Sequence, residues 1–254
     1  MSSAKESTSR VGFSARDSSI DGAGREGQSS REGLAGGRHV SDRLKRLVLV
    51  RHGETAGQSS IRYYGVTDVP LSDLGRAQVR AARDRVYGLT FDAVWASTLC
   101  RSWESARIVA PGRPIHLETN FREIDFGDWE GLTAEEIAVV DPAGHADWKA
   151  KGLEFTFPGG ETRAAFRERV AVGLDSIRAS GAESVLVAVH KGVVRTLLEL
   201  VTGFTLEPGE PELGGVIQAS RDSSGAWYTG RRGSDSSASE VGLGIPMESG
   251  PGAR

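Results

Sequence analysis

The chain has 254 residues with a net charge of −3, and 38% of it is hydrophobic against 26% charged. That balance fits a globular protein long enough to bury one ample core. The small net charge argues against a general nucleic-acid binder, which shows a strong basic excess. No run approaches the roughly 18 apolar residues of a membrane helix. A single cysteine, Cys100, excludes an intramolecular disulfide and reads as a small packing residue. With no apolar N-terminal stretch of the signal-peptide kind, these features predict a cytoplasmic protein.

Residues 1–42 are rich in Ser, Gly, Arg and acidic groups. They cannot bury enough surface to offset their ordering entropy, which predicts a disordered tail; a docking arm is the alternative. Residues 233–254 read as a second tail, leaving one domain over 43–232. Within it Leu47–Val50 is a continuous apolar run, as expected of a strand covered on both faces. A helix is predicted over Asp73–Val86 with Ser72 as N-cap, a strand over Phe91–Ala96, a helix over Thr98–Ala110 and a short strand at Ile115–Leu117. Thr133–Val140 starts a further helix, followed by a loop at Asp141–Gly144. Gly160–Arg178 reads as a long helix with Phe166, Val170, Leu174 and Ile177 on one face. Ser184–Val189 is a strand and Val193–Val201 a helix. Val216–Ser220 and Ala226–Thr229 form a closing hairpin turned at Asp222–Gly225. Alternating strands and helices predict an α/β fold with a mostly parallel central sheet, the hairpin lying at one edge.

Four segments could carry chemistry. Arg51-His52-Gly53-Glu54-Thr55 follows the first strand, at the kind of strand exit where α/β sheets build ligand sites. It is either a surface turn or a phosphate site with a histidine nucleophile. Arg101 stands in the first turn of a predicted helix just after a strand, where a guanidinium fork adds to the helix terminus's preference for anions; a solvated arginine is the bland reading. Phe121–Gly131 crowds four carboxylates among aromatics, and a carboxyl against an apolar wall can be held protonated as a general acid. Its alternative is an acidic loop with Phe126 and Trp129 as core anchors. His190-Lys191-Gly192 ends the Ser184–Val189 strand as His52 ends the first. In combination these segments hold what phosphoryl transfer through histidine requires: a nucleophile, cations around the transferred group, and an acid for the leaving oxygen.

Arg51–Thr55, Ser97–Arg101, Glu123 with Phe126–Gly131, and His190 together resemble the histidine phosphatase superfamily. This group contains cofactor-independent phosphatases and cofactor-dependent phosphoglycerate mutases. The resemblance runs from about Leu47 to Leu198. It implies a three-layer α/β/α sandwich, with neither metal nor cofactor. It implies His52 as the phosphorylated nucleophile, Glu123 as proton donor, and Arg51, Arg101 and His190 as phosphate ligands. Gln58 stands where the family commonly places a phosphate-touching asparagine, and Lys191 where many members have glycine. The 138 positions from His52 to His190 favour a phosphatase, because the family's mutases look longer here. Arg62–Ser72 resembles the α-ribazole phosphatase branch, and Pro158–Thr162 matches a family segment near the substrate mouth; a helix start with Glu161 complementing the dipole is its alternative.

The resulting expectation is a metal-independent phosphomonoester hydrolase acting on a small phosphorylated metabolite, α-ribazole phosphate among the options. It predicts neither nucleic-acid nor membrane partners, and leaves monomer and homodimer open. The alternatives are a phosphoglycerate mutase-type transfer, a catalytically weak phosphate-binding module, and a metal-dependent hydrolase, for which no compact ligand motif is present. Specificity is expected from Thr133–Phe157, with Trp148, Lys149 and Lys151 over the site.

Overall fold

Helices and strands alternate along the chain in the computed structural model, which describes residues 42–231. The strands are β1 (Arg46–Arg51), β2 (Ala93–Ser97), β3 (His116–Glu118), β4 (Ser184–Val189), β5 (Val216–Arg221) and β6 (Trp227–Arg231). The helices are α1 (Asp73–Arg85), α2 (Cys100–Val109), α3 (Ala134–Val140), α4 (Pro142–Ala150), α5 (Arg163–Ala179) and α6 (Lys191–Thr202). One sheet takes the order β3-β2-β4-β1-β5-β6. The pairings among β3, β2, β4 and β1 are parallel, while β5 is antiparallel to β1 and to β6. The mostly parallel sheet and its edge hairpin are therefore as the sequence predicts.

The continuous apolar strands make sense because both faces of the sheet are covered. Leu47, Leu49, Val185, Val187 and Val189 point to one side, where Val170, Leu174 and Ile177 of α5 and Val193, Val194 and Leu197 of α6 pack. Val48, Val50, Leu186 and Ala188 point to the other, against Val79 and Ala82 of α1 and Ala106 and Val109 of α2. This is the three-layer α/β/α arrangement.

Three local expectations change. The segment after Asp141 is a helix, α4, not a loop: Asp141 accepts from the Gly144 N–H as N-cap and Pro142 opens the first turn. The long helix starts at Arg163, since Thr162 accepts from the Ala165 N–H and caps it. The helix expected from Val193 begins at Lys191, so Lys191 and Gly192 form its first turn, with His190 at the N-cap. The tails expected over 1–42 and 233–254 lie almost wholly outside the described residues. Among the described residues no helix is long and apolar enough to cross a membrane.

Candidate active site

β1 and β4 are adjacent and in register, with Arg51 opposite Val189. The ladder continues one step further, the His52 N–H donating to the Val189 carbonyl at 2.9 Å. The two histidines therefore leave the sheet side by side, their rings 5.2 Å apart and edge-on. His52 is buried, and its Nδ1 lies 2.7 Å from the Gly53 carbonyl oxygen. A carbonyl only accepts, so Nδ1 carries the proton and Nε2 keeps a free lone pair. Burial, then the charges of Arg101 and Arg51, holds the His52 pKa well below its usual value, against the pull of the Gly53 bond. His190 is depressed as well, by burial first and then by Arg101. Its Nε2 lies 2.9 Å from Ser97 Oγ at the end of β2.

Arg51, partly buried, donates from Nη1 to the Pro211 carbonyl. Arg101, fully buried in the first turn of α2, reaches the carbonyls of Tyr64, Gly65 and Thr67. Of the buried side-chain nitrogens without a hydrogen-bond partner among the described residues, three belong to this cluster: Arg51 Nε, Arg101 Nε and His190 Nδ1.

Glu123 is 7% exposed, and its two oxygens accept from the N–H groups of Ile124 at 3.0 Å and Gly192 at 2.9 Å. Glu123 thus sits on the N-terminal turn of α6. The other carboxylates of its segment shape loops. Glu130 accepts from the N–H groups of Gly65, Val66, Thr67 and Phe126, Asp125 accepts from Gly127, and Trp129 is buried in the core. Glu161, directly before the Thr162 N-cap of α5, binds the Asp125 N–H and the Arg169 guanidinium.

A cavity of about 1030 Å³ opens at this cluster, while Arg101 and His190, both fully buried, are not among the residues that line it. Arg51, His52 and Glu123 line its floor, and Tyr63, Phe126, Trp148 and Phe157 form an aromatic wall. Within the stretch expected to cap the site, Ala134, Glu135, Trp148 and Phe157 reach the cavity. Lys151 instead pairs with Asp147 at 2.6 Å, and the Lys149 side chain falls outside the described residues. Gln58 does not line the cavity. It is exposed, in the left-handed region at φ 65°, and closes the turn by donating to Thr55 and accepting from Ile61 and Arg62 through its backbone. The neighbouring loop is held by Glu54, whose carboxylate accepts from Ser59 Oγ and the N–H groups of Thr55 and Ser60. Cys100 contacts Asp68, and burial first, with that carboxylate second, pushes its thiol up to about 11, which makes it a poor nucleophile.

Two residues that position Glu123 escape sequence reasoning. Arg169, on α5, donates to the carbonyls of Asn120, Arg122 and Glu123 and to Glu161, holding the backbone on both sides of the carboxylate. Gly192 leaves the space that Glu123 fills: a Cβ there would overlap Glu123 Oε1 and lie 3.1 Å from Phe166 Cζ. Among the described residues no group of three or more His, Cys, Asp or Glu side chains is placed to hold a metal ion.

Comparison with known proteins matches residues 47–212 to the histidine phosphatase superfamily, branch 1. The chain belongs to the histidine phosphatase superfamily. A glucosyl-3-phosphoglycerate phosphatase from Mycolicibacterium vanbaalenii is 30% identical over 188 residues, covering 70% of this chain and 83% of the relative. An adenosylcobalamin/α-ribazole phosphatase from Salmonella typhimurium is 32% identical over 60% of this chain and 77% of its own. Among solved structures, the α-ribazole phosphatase from Shigella flexneri superimposes with a TM-score of 0.63 at 25% identity, over 74% of this chain and 95% of that one. A mycobacterial glucosyl-3-phosphoglycerate phosphatase in complex with VO3 gives 0.62 at 26% identity, over 73% and 97%. As a histidine phosphatase superfamily member, the chain has relatives named both for α-ribazole and for a phosphoglycerate derivative.

Proposed function

We propose that the chain is a phosphomonoesterase that works through a phosphohistidine on His52 and needs no metal. One observation carries this reading: Arg51 Nε, Arg101 Nε and His190 Nδ1, buried and without partners, cluster about a neutral histidine with a free Nε2. Buried donors are ordinarily satisfied, and the equatorial oxygens of a phosphoryl group supply acceptors of the right number and charge. His190 joins as a donor in the tautomer where the Ser97 hydroxyl donates to Nε2 and the ring proton sits on Nδ1. Gln58 is left out of this set, because it is exposed whereas the three orphaned nitrogens are buried.

The depressed pKa of His52 is an advantage for a nucleophile, which must be unprotonated before it attacks. Nε2 forms a bond to phosphorus as the ester P–O bond breaks, and Glu123, entering protonated, gives its proton to the departing oxygen. Both Glu123 oxygens accept one backbone N–H, and each retains a further lone pair for that exchange. Water then attacks the phosphohistidine while Glu123 takes its proton, which releases inorganic phosphate and restores His52. Arg51, Arg101 and His190 stabilise the charge at both stages.

The test is phosphate release from a panel of phosphomonoesters with chelator present, alongside trapping of acid-labile phosphate on the protein. His52→Ala is expected to lose both turnover and the trapped phosphate. Turnover retained in that variant would sink the mechanism, and transfer between the 2- and 3-positions of phosphoglycerate without phosphate release would make it a mutase.

A further inference from the structure

Six cations line the cavity: Arg51, Arg62, Arg163, Arg167, Lys191 and Arg195. Five are already engaged. Arg51 donates to the Pro211 carbonyl, Arg62 pairs with Glu136, Arg163 donates to the Gly152 carbonyl, and Arg167 pairs with Glu199. Arg195 spends both Nη groups on the carbonyls of Leu206, Glu207 and Glu210. Among the described residues that line the cavity, Lys191 is the one cation with neither hydrogen bond nor ion pair. It is partly buried at the first position of α6. Burial, then Arg51 and Arg195, lowers its pKa, and Glu123 pulls the other way. No ion pair joins the two: the Glu123 oxygens accept from the Ile124 and Gly192 N–H groups, and the carboxylate acts on Lys191 only at longer range. A half-buried ammonium that lines a cavity together with two guanidinium groups is an unmet demand for an anion.

We propose that Lys191 anchors a carboxylate of the substrate, so that this chain acts on phosphomonoesters carrying a second acidic group close to the phosphate. The inference rests on the reading of the His52 cluster as the phosphoryl pocket. The three orphaned nitrogens that would hold the phosphate come from β1, α2 and the N-cap of α6, whereas Lys191 lines the cavity from the first turn of α6. Arg195 follows one turn later on the same face of α6, about 6 Å along the axis, and extends the positive wall. A carboxylate fits better than a second phosphate. The free group is a single ammonium, and the guanidinium beside it has no free fork for a dianion.

Matched pairs test this in the full chain: O-phosphoserine against phosphoethanolamine, and 3-phosphoglycerate against glycerol 3-phosphate, each pair differing by the carboxylate. The wild type should prefer the carboxylate member in kcat/KM by about ten-fold, the scale of one charge-assisted hydrogen bond. Lys191→Met should erase most of that preference, chiefly through KM, and Lys191→Arg should restore it. No preference in the wild type overturns the proposal. So does an equal loss on both members of a pair, which would place the ammonium on the transferred phosphate. Dissociation constants of the same pairs, measured by calorimetry in His52→Ala with and without Lys191→Met, should show the same ratio. If the wild type hydrolyses nothing, the phosphatase reading fails, and these constants still decide the role of Lys191.

Discussion

Gly192→Ala separates catalysis from stability. The new Cβ would overlap Glu123 Oε1, lie 3.3 Å from its Cδ, and meet Phe166 Cζ at 3.1 Å on the other side. Phe166 is 6% exposed and cannot swing away, so the carboxylate gives, by about 1 Å, and its 2.9 Å bond to the residue 192 N–H is lost or bent. A displacement of about 1 Å in a catalytic group costs on the order of 100-fold in rate. Residue 192 lies in the first turn of α6, where alanine's advantage over glycine is smaller than the about 1 kcal/mol of a helix interior and offsets part of the new steric cost. The variant should therefore melt within a few degrees of the wild type yet lose about 100-fold in kcat on alkyl phosphates. Aryl phosphates, whose leaving groups need little protonation, should lose far less. The assay is kcat on glycerol 3-phosphate and 4-nitrophenyl phosphate, with a thermal melt of the same samples. Equal losses on both substrates, or full activity on the alkyl ester, would refute the proposal that Gly192 makes room for Glu123 acting as proton donor.

Arg169→Lys replaces a fork that spans three carbonyls and a carboxylate with a single ammonium. It should cost about 1–3 kcal/mol in urea unfolding through carbonyls left short of donors, with kcat falling more than KM rises; a change in KM alone would argue against a positioning role. The buried histidines set an acid limit. Both have native pKa values well below 6.5, mainly through burial, while in the unfolded chain they titrate near the ordinary value. Below that value the unfolded chain takes up protons that the native state refuses. The pair's contribution is therefore intact above about pH 6.5 and is lost as pH falls towards the depressed native values, by about 2 kcal/mol between pH 6.5 and 5.5. Urea unfolding at the two pH values should show a smaller difference in the His52→Asn, His190→Asn double variant; an unchanged difference would show that the histidines are not the source.

Much of this was legible in the sequence because it is local. Apolar runs marked β1 and β4, and the residue after each is a histidine because a strand exit is a fixed place relative to the strand. Helix α4 was legible too and was passed over: Asp141 and Pro142 are an N-cap and a first-turn proline, but the loop residues around them dominated. Gly192 was visible as part of the His190-Lys191-Gly192 segment, but nothing local shows that it leaves room for a side chain 69 positions away. Arg169 gave no signal, since it lies beside the apolar stripe of α5 and its targets are backbone carbonyls that sequence cannot point to. The carboxylates of the 121–131 segment divide the same way. Trp129 and Phe126 could be foreseen as apolar anchors, but the choice of Glu123 over Glu130 depends on which one meets α6 and which meets the 65–67 loop.

The pairing of β1 with β4 joins residues 138 positions apart, and both histidines hang on it. A contact so distant along the chain closes only after much of the loop-closure entropy has been lost, which makes it a slow event in folding. Helices can form and the hairpin at residues 216–231 can turn without bringing His52 near His190. A chain in which only those elements had formed would have much of the native helix content without the two histidines side by side. On the reading of His52 and His190 as parts of one phosphoryl site, recovery of activity on refolding reports when β1 and β4 have come together at the centre of the sheet.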